Sequence, residues 1–251
     1  MMIDAHLHLP VGFPDLFAQK QALLDELKRS GAAGGIVIAD SSLESVIGSV
    51  KDCIELFKGD SVIKVIAGIS PLIAFEAQLK YCEELLAGRD IVGLKIYTGH
   101  EHFYCTDARL LPVYELAERF RVPVLFHTGW DEPQYASPEV MRELAVKHPN
   151  NTFVYCHCFY PQTDKCFAIL GDCENVCFDT SSIADDPEKL PDIKASIERA
   201  IMRMPQRFLF GSDFGSCSQK AHIDFAKSLD IPDAQRELFM YRNAQKVYRL
   251  S

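Results

Sequence analysis

The sequence of 251 residues has no long apolar run and no excess of positive charge. Its first residues, MMIDAHLHLP, lack the basic and apolar segments of a signal peptide, and no later stretch reads as a transmembrane helix. A net charge of −9 argues against a nucleic-acid backbone or an anionic membrane as the main partner, because both attract basic surfaces. We therefore expect no nucleic acid and no membrane among its partners.

Paired cysteine motifs are also missing, although cysteine itself is frequent. The nine cysteines form no two Cys-x-x-Cys pairs, so a structural zinc ribbon is not expected. Their odd number, without an export signal, argues against a disulfide framework and predicts reduced thiols in the cytoplasm. Cys156 and Cys158 flank a histidine, but on an extended strand they would point away from the face that His157 takes.

The chain has no low-complexity segment, flexible linker or near-exact repeat, so residues 1–251 are predicted to form a single domain. A two-part unit recurs instead, in which a short apolar run precedes an amphipathic stretch. The apolar runs suit strands of a buried parallel sheet. They cover residues 2–8, 34–39, 62–69, 91–97, 122–127, 152–157, 175–180 and 207–213.

Eight strand–helix units predict an α/β fold of the (β/α)8 TIM-barrel type. A doubly wound open sheet is the competing architecture, but no G-x-G-x-x-G turn follows either of the first two strands. The first helix is predicted over about 14–30, ending at Gly31. Three further sequences are typical of helix starts: Ser41-x-x-Glu44, Ser137-Pro138 and Asp186-Pro187.

Unusual polar side chains fall at the ends of the predicted strands, where barrel enzymes carry their functional sites. They are His6, His8, Lys95, His127, His157 and Asp213. Alternation along the first strand predicts that Asp4, His6 and His8 share one face, and two imidazoles so placed can converge on one ion. Alternation also turns Lys95 into the barrel, where an ammonium without a partner would be costly.

The motifs at these strand ends resemble those of the amidohydrolase superfamily. IDAHLH is similar to its strand-1 signature, and PVLFHTG, FVYCH, NVCFDTS and RFLFGSDFG resemble strands 5 to 8 of its amidohydrolase-2 branch. RNAQKVYRL resembles the last helix of that branch. The resemblance covers about residues 2–250 and implies a metal-dependent hydrolase.

The resemblance implies a metal site made of His6, His8, His127 and Asp213. It also implies catalytic roles for Asp213, which would take a proton from metal-bound water, and for His157, which would contact substrate or hold a second ion. The implied cofactor is a divalent metal, with zinc first and Mn, Fe or Co as alternatives, and one ion is favoured over two. Lys95 occupies the place of a bridging carboxylated lysine in two-metal members.

Substrate contacts are expected from the segment after strand 4, residues 98–107, which would lie over the rim of the barrel. The expected substrate-binding residues are Lys95, Tyr97, His100, His102 and Trp130. An ion pair of Lys95 with Asp4 or Asp179 is an equal alternative for that residue. Ser181 and Ser182 after strand 7 are further candidates, whereas His148 and His222 are expected at the surface.

The favoured interpretation is a hydrolase of an amide, ester or lactone-like bond in a small molecule. The alternative is a metal-dependent decarboxylase of a small aromatic or unsaturated carboxylic acid, whose anionic substrate would need a cation such as Lys95. A TatD-like deoxyribonuclease is less favoured, because Lys95 replaces that family's strand-4 glutamate and the chain is acidic. A non-catalytic ligand-binding barrel is the fourth interpretation, and the formation of a homo-oligomer is left open.

Overall fold

Eight short parallel strands form one sheet in the described part of the chain, residues 1–130 and 132–250 of this computed structural model. They are β1 (Ile3–Leu7), β2 (Gly34–Ile38), β3 (Ile63–Gly68), β4 (Leu94–Ile96), β5 (Val124–Phe126), β6 (Phe153–Tyr155), β7 (Val176–Asp179) and β8 (Phe208–Leu209). Each strand pairs with the next one in sequence. Every predicted strand is confirmed, at a shorter length than its apolar run.

Backbone hydrogen bonds join β1 to the residues that follow β8 and close the sheet into a barrel. Ala5 N donates to Phe210 O at 2.8 Å, and Asp213 N donates to His6 O at 2.9 Å. The predicted (β/α)8 barrel is therefore confirmed over an open sheet. Closure also brings Asp213 to the strand that carries His6.

The buried carboxylate of Asp4 adds a second link across this seam. It accepts hydrogen bonds from Ser212 N at 3.0 Å, Ser212 Oγ at 2.6 Å and Gln219 Nε2 at 2.8 Å. The prediction that Asp4 shares the histidine face is wrong. The pairing register of β1 shifts between Asp4 and Leu7, and this irregularity breaks the alternation on which the prediction depended.

Helices follow the strands and cover the outside of the barrel. They are α1 (Leu16–Ser30), α2 (Val50–Phe57), α3 (Phe75–Gly88), α4 (Leu111–Phe120), α5 (Pro138–Lys147), α6 (Thr163–Leu170), α7 (Leu190–Arg203), α8 (Gln219–Ser228), α9 (Asp233–Glu237) and α10 (Asn243–Val247). As predicted, α1 ends at a left-handed Gly31 with φ of 73°, and Ser137 caps α5 through Val140 N.

The predicted capping box of Ser41 and Glu44 is wrong. These residues lie in a loop, and α2 begins later, after Ser49, which forms a capping box with Asp52. Leu43, which lies between them, is 80% exposed. The loop therefore leaves this apolar side chain without a surface to pack against.

Asp186 does not cap a helix either, contrary to prediction. Its carboxylate accepts hydrogen bonds from Tyr160 Oη at 2.7 Å and from Glu188 N at 3.2 Å. The helix that follows, α7, begins at Leu190, with Pro191 in its first turn. The helix thus starts about one turn later than predicted, next to a second proline, Pro191.

Two apolar clusters stabilise the barrel, one inside the sheet and one between sheet and helices. Alternate residues of β2 illustrate the division, since Ile36 and Ile38 belong to the inner cluster and Val37 to the outer one. After α10, Tyr248 joins the inner cluster, and Asn243 Nδ2 donates to Phe208 O at 2.8 Å. The C-terminal segment therefore closes the end of the barrel where the strands begin.

The other end, where the strands finish, carries the predicted polar residues. His6 and Lys95 lie on β1 and β4, and the others lie in the loops that follow strands: His8, His127, His157 and Asp213.

All nine cysteines are free thiols in the structure, and all but Cys217 are buried. None of the helices in the described residues is both long enough and apolar enough to cross a bilayer.

Candidate metal centre

His6, His8 and Asp213 come together at the carboxyl end of the barrel. Asp213 Oδ1 lies 3.6 Å from His6 Nε2 and 3.3 Å from His8 Nε2. All three side chains are buried, and their ligand-capable atoms lie within 4.8 Å of one another. This spacing suits side chains that share one ion, because each would approach it at about 2.0–2.2 Å.

Hydrogen bonds on the far side of each ring determine which histidine nitrogens face Asp213. His6 Nδ1 lies 2.5 Å from Asp179 Oδ2, and His8 Nδ1 lies 2.9 Å from Ile38 O. Since a carboxylate and a carbonyl only accept, both Nδ1 atoms carry the hydrogen. Each Nε2 then presents its lone pair toward Asp213, as metal ligation requires.

Asp213 follows β8 in a left-handed conformation, with φ of 61°. Its Oδ2 accepts a hydrogen bond from Ser182 Oγ at 2.7 Å, whereas Oδ1 is buried without a hydrogen-bond partner among the described residues. Burial opposes ionisation, but His6, His8 and other neighbours outweigh it and hold the pKa of Asp213 well below its usual range. A charged oxygen left unpaired in this way is suited to a cation.

His127 and His157 continue the site across β5 and β6. His157 Nδ1 lies 3.1 Å from Ser181 O and so carries a hydrogen, which leaves Nε2 as an acceptor. His127 Nδ1, 3.2 Å from that Nε2, is then the donor. The remaining nitrogen, His127 Nε2, is buried, without a hydrogen-bond partner in the described part of the chain. It could serve as a further ligand, although His127 is not among the residues whose ligand atoms lie within 4.8 Å of one another, which are His6, His8 and Asp213.

Burial keeps these two imidazoles neutral. It lowers the pKa of His157 to about 3, and burial together with His157 and Lys95 lowers the pKa of His127 well below its ordinary value. Metals bind the neutral ring, so His127 needs to lose no proton before it ligates. The two imidazoles and one carboxylate of His6, His8 and Asp213 fit a divalent transition metal such as zinc.

A family model described as Amidohydrolase matches residues 3–250, almost the whole chain. The chain belongs to the amidohydrolase family. No curated protein matches it.

Solved structures share the barrel of this amidohydrolase at low sequence identity. An uncharacterized TIM-barrel protein from Bordetella bronchiseptica matches with a TM-score of 0.81 and 18% identity, covering 99% of this chain and 98% of the other. A Burkholderia multivorans amidohydrolase with bound zinc has a TM-score of 0.73 and 15% identity, with 100% of both chains covered. A dihydroxybenzoic acid decarboxylase from Polaromonas, with bound manganese, has a TM-score of 0.66 and 14% identity, covering 100% and 98%.

Lys95 points into the barrel as predicted, but it makes neither of the predicted ion pairs. It is 1% exposed, and its Nζ lies 3.2 Å from Cys156 Sγ. Within residues 1–130 and 132–250, no carboxylate oxygen lies within 4.0 Å of Nζ. Asp4 is held by the seam of the barrel and Asp179 by His6, so neither carboxylate is available.

Cys156 was expected to point away from the site, and this expectation is wrong. It belongs to the inner apolar cluster and contacts Lys95. The chain leaves the extended conformation directly afterwards, at His157 with φ of 60° and Cys158 with φ of 48°. The turn therefore directs Cys156 and His157 to the same interior, which strand alternation cannot do.

The predicted substrate loop folds toward the metal centre. The ring of His100 lies 4.0 Å from that of His127, measured between centroids. Tyr97 is held by a hydrogen bond from its hydroxyl to Ala39 O at 3.1 Å. The loop thus covers the site through His100.

Aromatic side chains continue outward from the loop. His102 stacks on Tyr135, with 5.6 Å between centroids. Trp130 is 47% exposed and stacks on Tyr160 at 4.3 Å. They offer apolar surfaces beside the loop that carries His100.

Sequence analysis missed two roles of buried residues. Asp179 was considered only as a partner of Lys95, although it ends a strand and so belongs to the rim. His222 was expected at the surface but is 1% exposed. Its Nδ1 donates to Ser218 O at 2.8 Å, and its Nε2 accepts from Ala184 N at 3.2 Å.

Proposed function

We propose that this protein is a metal-dependent hydrolase of an amide, ester or lactone-like bond in a small molecule. The metal site consists of His6, His8, His127 and Asp213, and zinc is the favoured ion. The observation that carries the proposal is that His127 Nε2 and Asp213 Oδ1 are among the buried side-chain atoms without hydrogen-bond partners in the described residues. Buried polar atoms are ordinarily satisfied, so atoms left unpaired beside two further imidazoles favour a bound cation.

A bound divalent metal supplies a water of lowered pKa and polarises the bond to be cleaved. Asp213 would be suited to collect the proton of that water, because its carboxylate is anchored by Ser182 and its pKa is held well below the usual range. The same carboxyl then returns the proton to the leaving group, acting as a general base and afterwards as a general acid. The aromatic residues Tyr97, His100, His102 and Trp130 form the wall that receives the substrate.

Charge at the rim favours hydrolysis over decarboxylation. Only Arg109 and Lys189 bring a cation to the loops that follow the strands. Arg109 pairs with Asp107 at 2.7 Å, and Lys189 pairs with Asp186 at 3.4 Å. A carboxylic acid substrate needs a cationic partner, and both of these loop cations are already paired, so Lys95 on β4 is left as the candidate partner.

The decarboxylase remains the second candidate because of Lys95. Its ammonium is buried close enough to the histidines to depress the pKa of His127, and a substrate carboxylate would give it a partner. Solved decarboxylases of dihydroxybenzoic acid share this fold, and dihydroxybenzoic acid is an aromatic carboxylic acid. Hydrolysis and release of CO2 are therefore both to be measured.

The test combines metal analysis with turnover. We expect one zinc per chain and metal-dependent hydrolysis of a panel of lactones, esters and amides. In His6→Ala and Asp213→Ala, both metal retention and turnover should be lost. His148→Ala, a change outside the site, is the control and should keep both.

Three outcomes contradict the proposal in distinct ways. Unchanged metal content in His6→Ala would remove this residue from the ligand set. Metal-dependent CO2 release from carboxylic acids, without hydrolysis, would assign the decarboxylase. A metal-loaded protein without any turnover would support the interpretation as a non-catalytic ligand-binding barrel.

A further inference from the structure

A groove rich in arginine lies at the amino-terminal end of the barrel, opposite the metal centre. Its cavity of about 750 Å³ is formed by residues that precede β5 to β8 and by the C-terminal segment. The cationic lining residues are Arg121, Arg203, Arg207, Lys246 and Arg249. Glu174 is the only acidic residue among the described lining residues. The groove is thus locally basic in a chain whose net charge is −9.

A second cavity of about 700 Å³ continues this groove. It shares Arg121 and Arg249 with the first cavity and adds Arg89 and Arg119. Arg119 is engaged, because it pairs with Glu83 at 2.6 Å. Arg121 and Arg249 therefore stand at the centre of one extended basic surface.

Part of this positive charge serves the fold. The guanidinium of Arg207 donates to Val176 O at 2.6 Å and to Gly171 O at 2.9 Å. In contrast, the side chains of Arg121, Lys246 and Arg249 make no hydrogen bond or ion pair with any residue in 1–130 or 132–250. Their positive charge is available to a ligand.

Backbone conformation distinguishes the arginines of this groove. Arg89, Arg121 and Arg249 adopt left-handed conformations, with φ of 59°, 56° and 53°. Glycine is favoured at such positions, and other residues adopt them at a cost. The other described residues of positive φ that are not glycine lie in loops after strands, at the metal end. Arg89 and Arg121 are the C-cap residues of α3 and α4, where a left-handed conformation is an ordinary way to end a helix. The positive φ angles therefore show where glycine can replace arginine without strain.

We propose that this groove binds a phosphate-bearing anion. Guanidinium groups pair with phosphate oxygens through two parallel hydrogen bonds, and three cations here have no partner among the described residues. The cavity has the size of ordinary small-ligand sites. This inference does not depend on the reaction at the metal centre, which lies at the other end of the barrel.

Calorimetry with the full-length protein and tripolyphosphate as the probe tests the proposal. We expect binding at low salt that weakens as salt is added. The affinity of the double variant Arg121→Gly/Arg249→Gly for the probe should be at least about tenfold lower, because two charge contacts are lost. Glycine suits the positive φ of both positions, so the variant removes charge without a folding cost.

Two control variants separate charge from backbone effects. Ala74→Gly relieves a positive φ of 41° outside the groove and should bind the probe like the wild type. Arg121→Lys/Arg249→Lys retains the charge but loses the two parallel hydrogen bonds, so it should bind more weakly than the wild type and more tightly than the glycine variant. Metal-dependent turnover should be unchanged in all of these variants.

A second arm identifies the source of the phosphate. Phosphatidylcholine vesicles that contain phosphatidylglycerol present the same chemistry as a lipid headgroup. Binding to these vesicles that requires Arg121 and Arg249, without binding of free tripolyphosphate, assigns the groove to a headgroup. Absence of binding in both arms, or binding indifferent to the glycine variants, overturns the proposal.

Discussion

Asp179 fixes the orientation of His6, since its Oδ2 lies 2.5 Å from His6 Nδ1. The second oxygen of the same carboxylate accepts from Ser181 N at 2.8 Å, so the group is fully engaged. Burial opposes ionisation of Asp179, but the neighbouring His6 outweighs it and lowers the pKa of this carboxyl. A carboxylate behind a histidine holds the ring in one tautomer and increases its basicity as a metal ligand.

Replacing Asp179 with asparagine keeps the shape of the side chain and removes its charge. We expect Asp179→Asn to lower metal affinity by about 10- to 100-fold, because His6 loses its charged partner. Titration of zinc against a competing chelator measures the effect. The control is Asp224→Asn, an exposed carboxylate on α8 that pairs with Lys220. Equal affinity in both variants would mean that Asp179 has no influence on the site.

We predict that the buried His222 makes the free energy of unfolding depend on pH. Burial lowers its pKa, so the folded protein resists protonation of this ring. The unfolded chain takes up the proton near the ordinary pKa of about 6.5. The stabilisation by neutral His222 is therefore present above that pH and is lost as the pH falls below it.

Urea unfolding of the wild type and His222→Gln between about pH 7 and about pH 5 measures this contribution. Glutamine does not titrate, so the free energy of unfolding should fall less steeply in the variant. The histidines of the metal centre are common to both proteins and cancel in the comparison. Identical slopes would show that His222 protonates as easily in the folded state as in the unfolded one.

The barrel and the approximate site could be predicted from the sequence for a physical reason. Strands buried on both faces are apolar throughout, so polar residues such as His6 and Asp213 at their ends are conspicuous. The loops gave no comparable signal. Ser41 and Glu44 fit a capping box, but local spacing does not report whether Leu43 finds a surface to pack against.

Side-chain direction near the strand ends could not be predicted, because it depends on departures from regular geometry. A register shift turns Asp4 toward α8, and the left-handed His157 brings Cys156 into the interior. The pairing of His6 with Asp179 joins residues 173 positions apart and requires the closed barrel. Alternation is a rule for regular strands, and these residues lie where regularity ends.

His157 has both ring nitrogens engaged, which suggests a positioning role. Its Nδ1 donates to Ser181, and its Nε2 accepts from His127. In His157→Ala, His127 loses this acceptor, and we expect metal affinity to fall by about 10- to 100-fold. At saturating metal the site should still fill with one ion, as elemental analysis can verify.

Turnover at saturating metal separates the two roles of His157. A positioning residue acts through His127, so filling the site should restore most of kcat. A kcat that remains about 100-fold low in the filled site would instead assign His157 to the substrate, as the family resemblance implies. His157→Gln, which keeps a hydrogen-bonding side chain, should rescue metal affinity in part if the positioning role holds.

Lys95 gives the sharpest prediction about the number of metals. Its Nζ contacts Cys156 Sγ at 3.2 Å and lies 5.3 Å from the ring centroid of Tyr97. As an ammonium it would repel a neighbouring metal ion, whereas as a carbamate it would bind two ions. We predict an uncarboxylated Lys95, whose Nζ contacts the thiol of Cys156, and a single ion.

We therefore expect Lys95→Met to keep one metal per chain, with affinity equal to or higher than that of the wild type, because a like charge is removed. Substrate turnover should fall, and added bicarbonate should change neither metal loading nor activity. Elemental analysis, a zinc titration and steady-state kinetics provide the measurements. Lys64→Met, a change of a half-buried lysine on β3, is the matched control. Loss of metal in Lys95→Met, or activation of the wild type by bicarbonate, would establish a carboxylated lysine and a two-metal site.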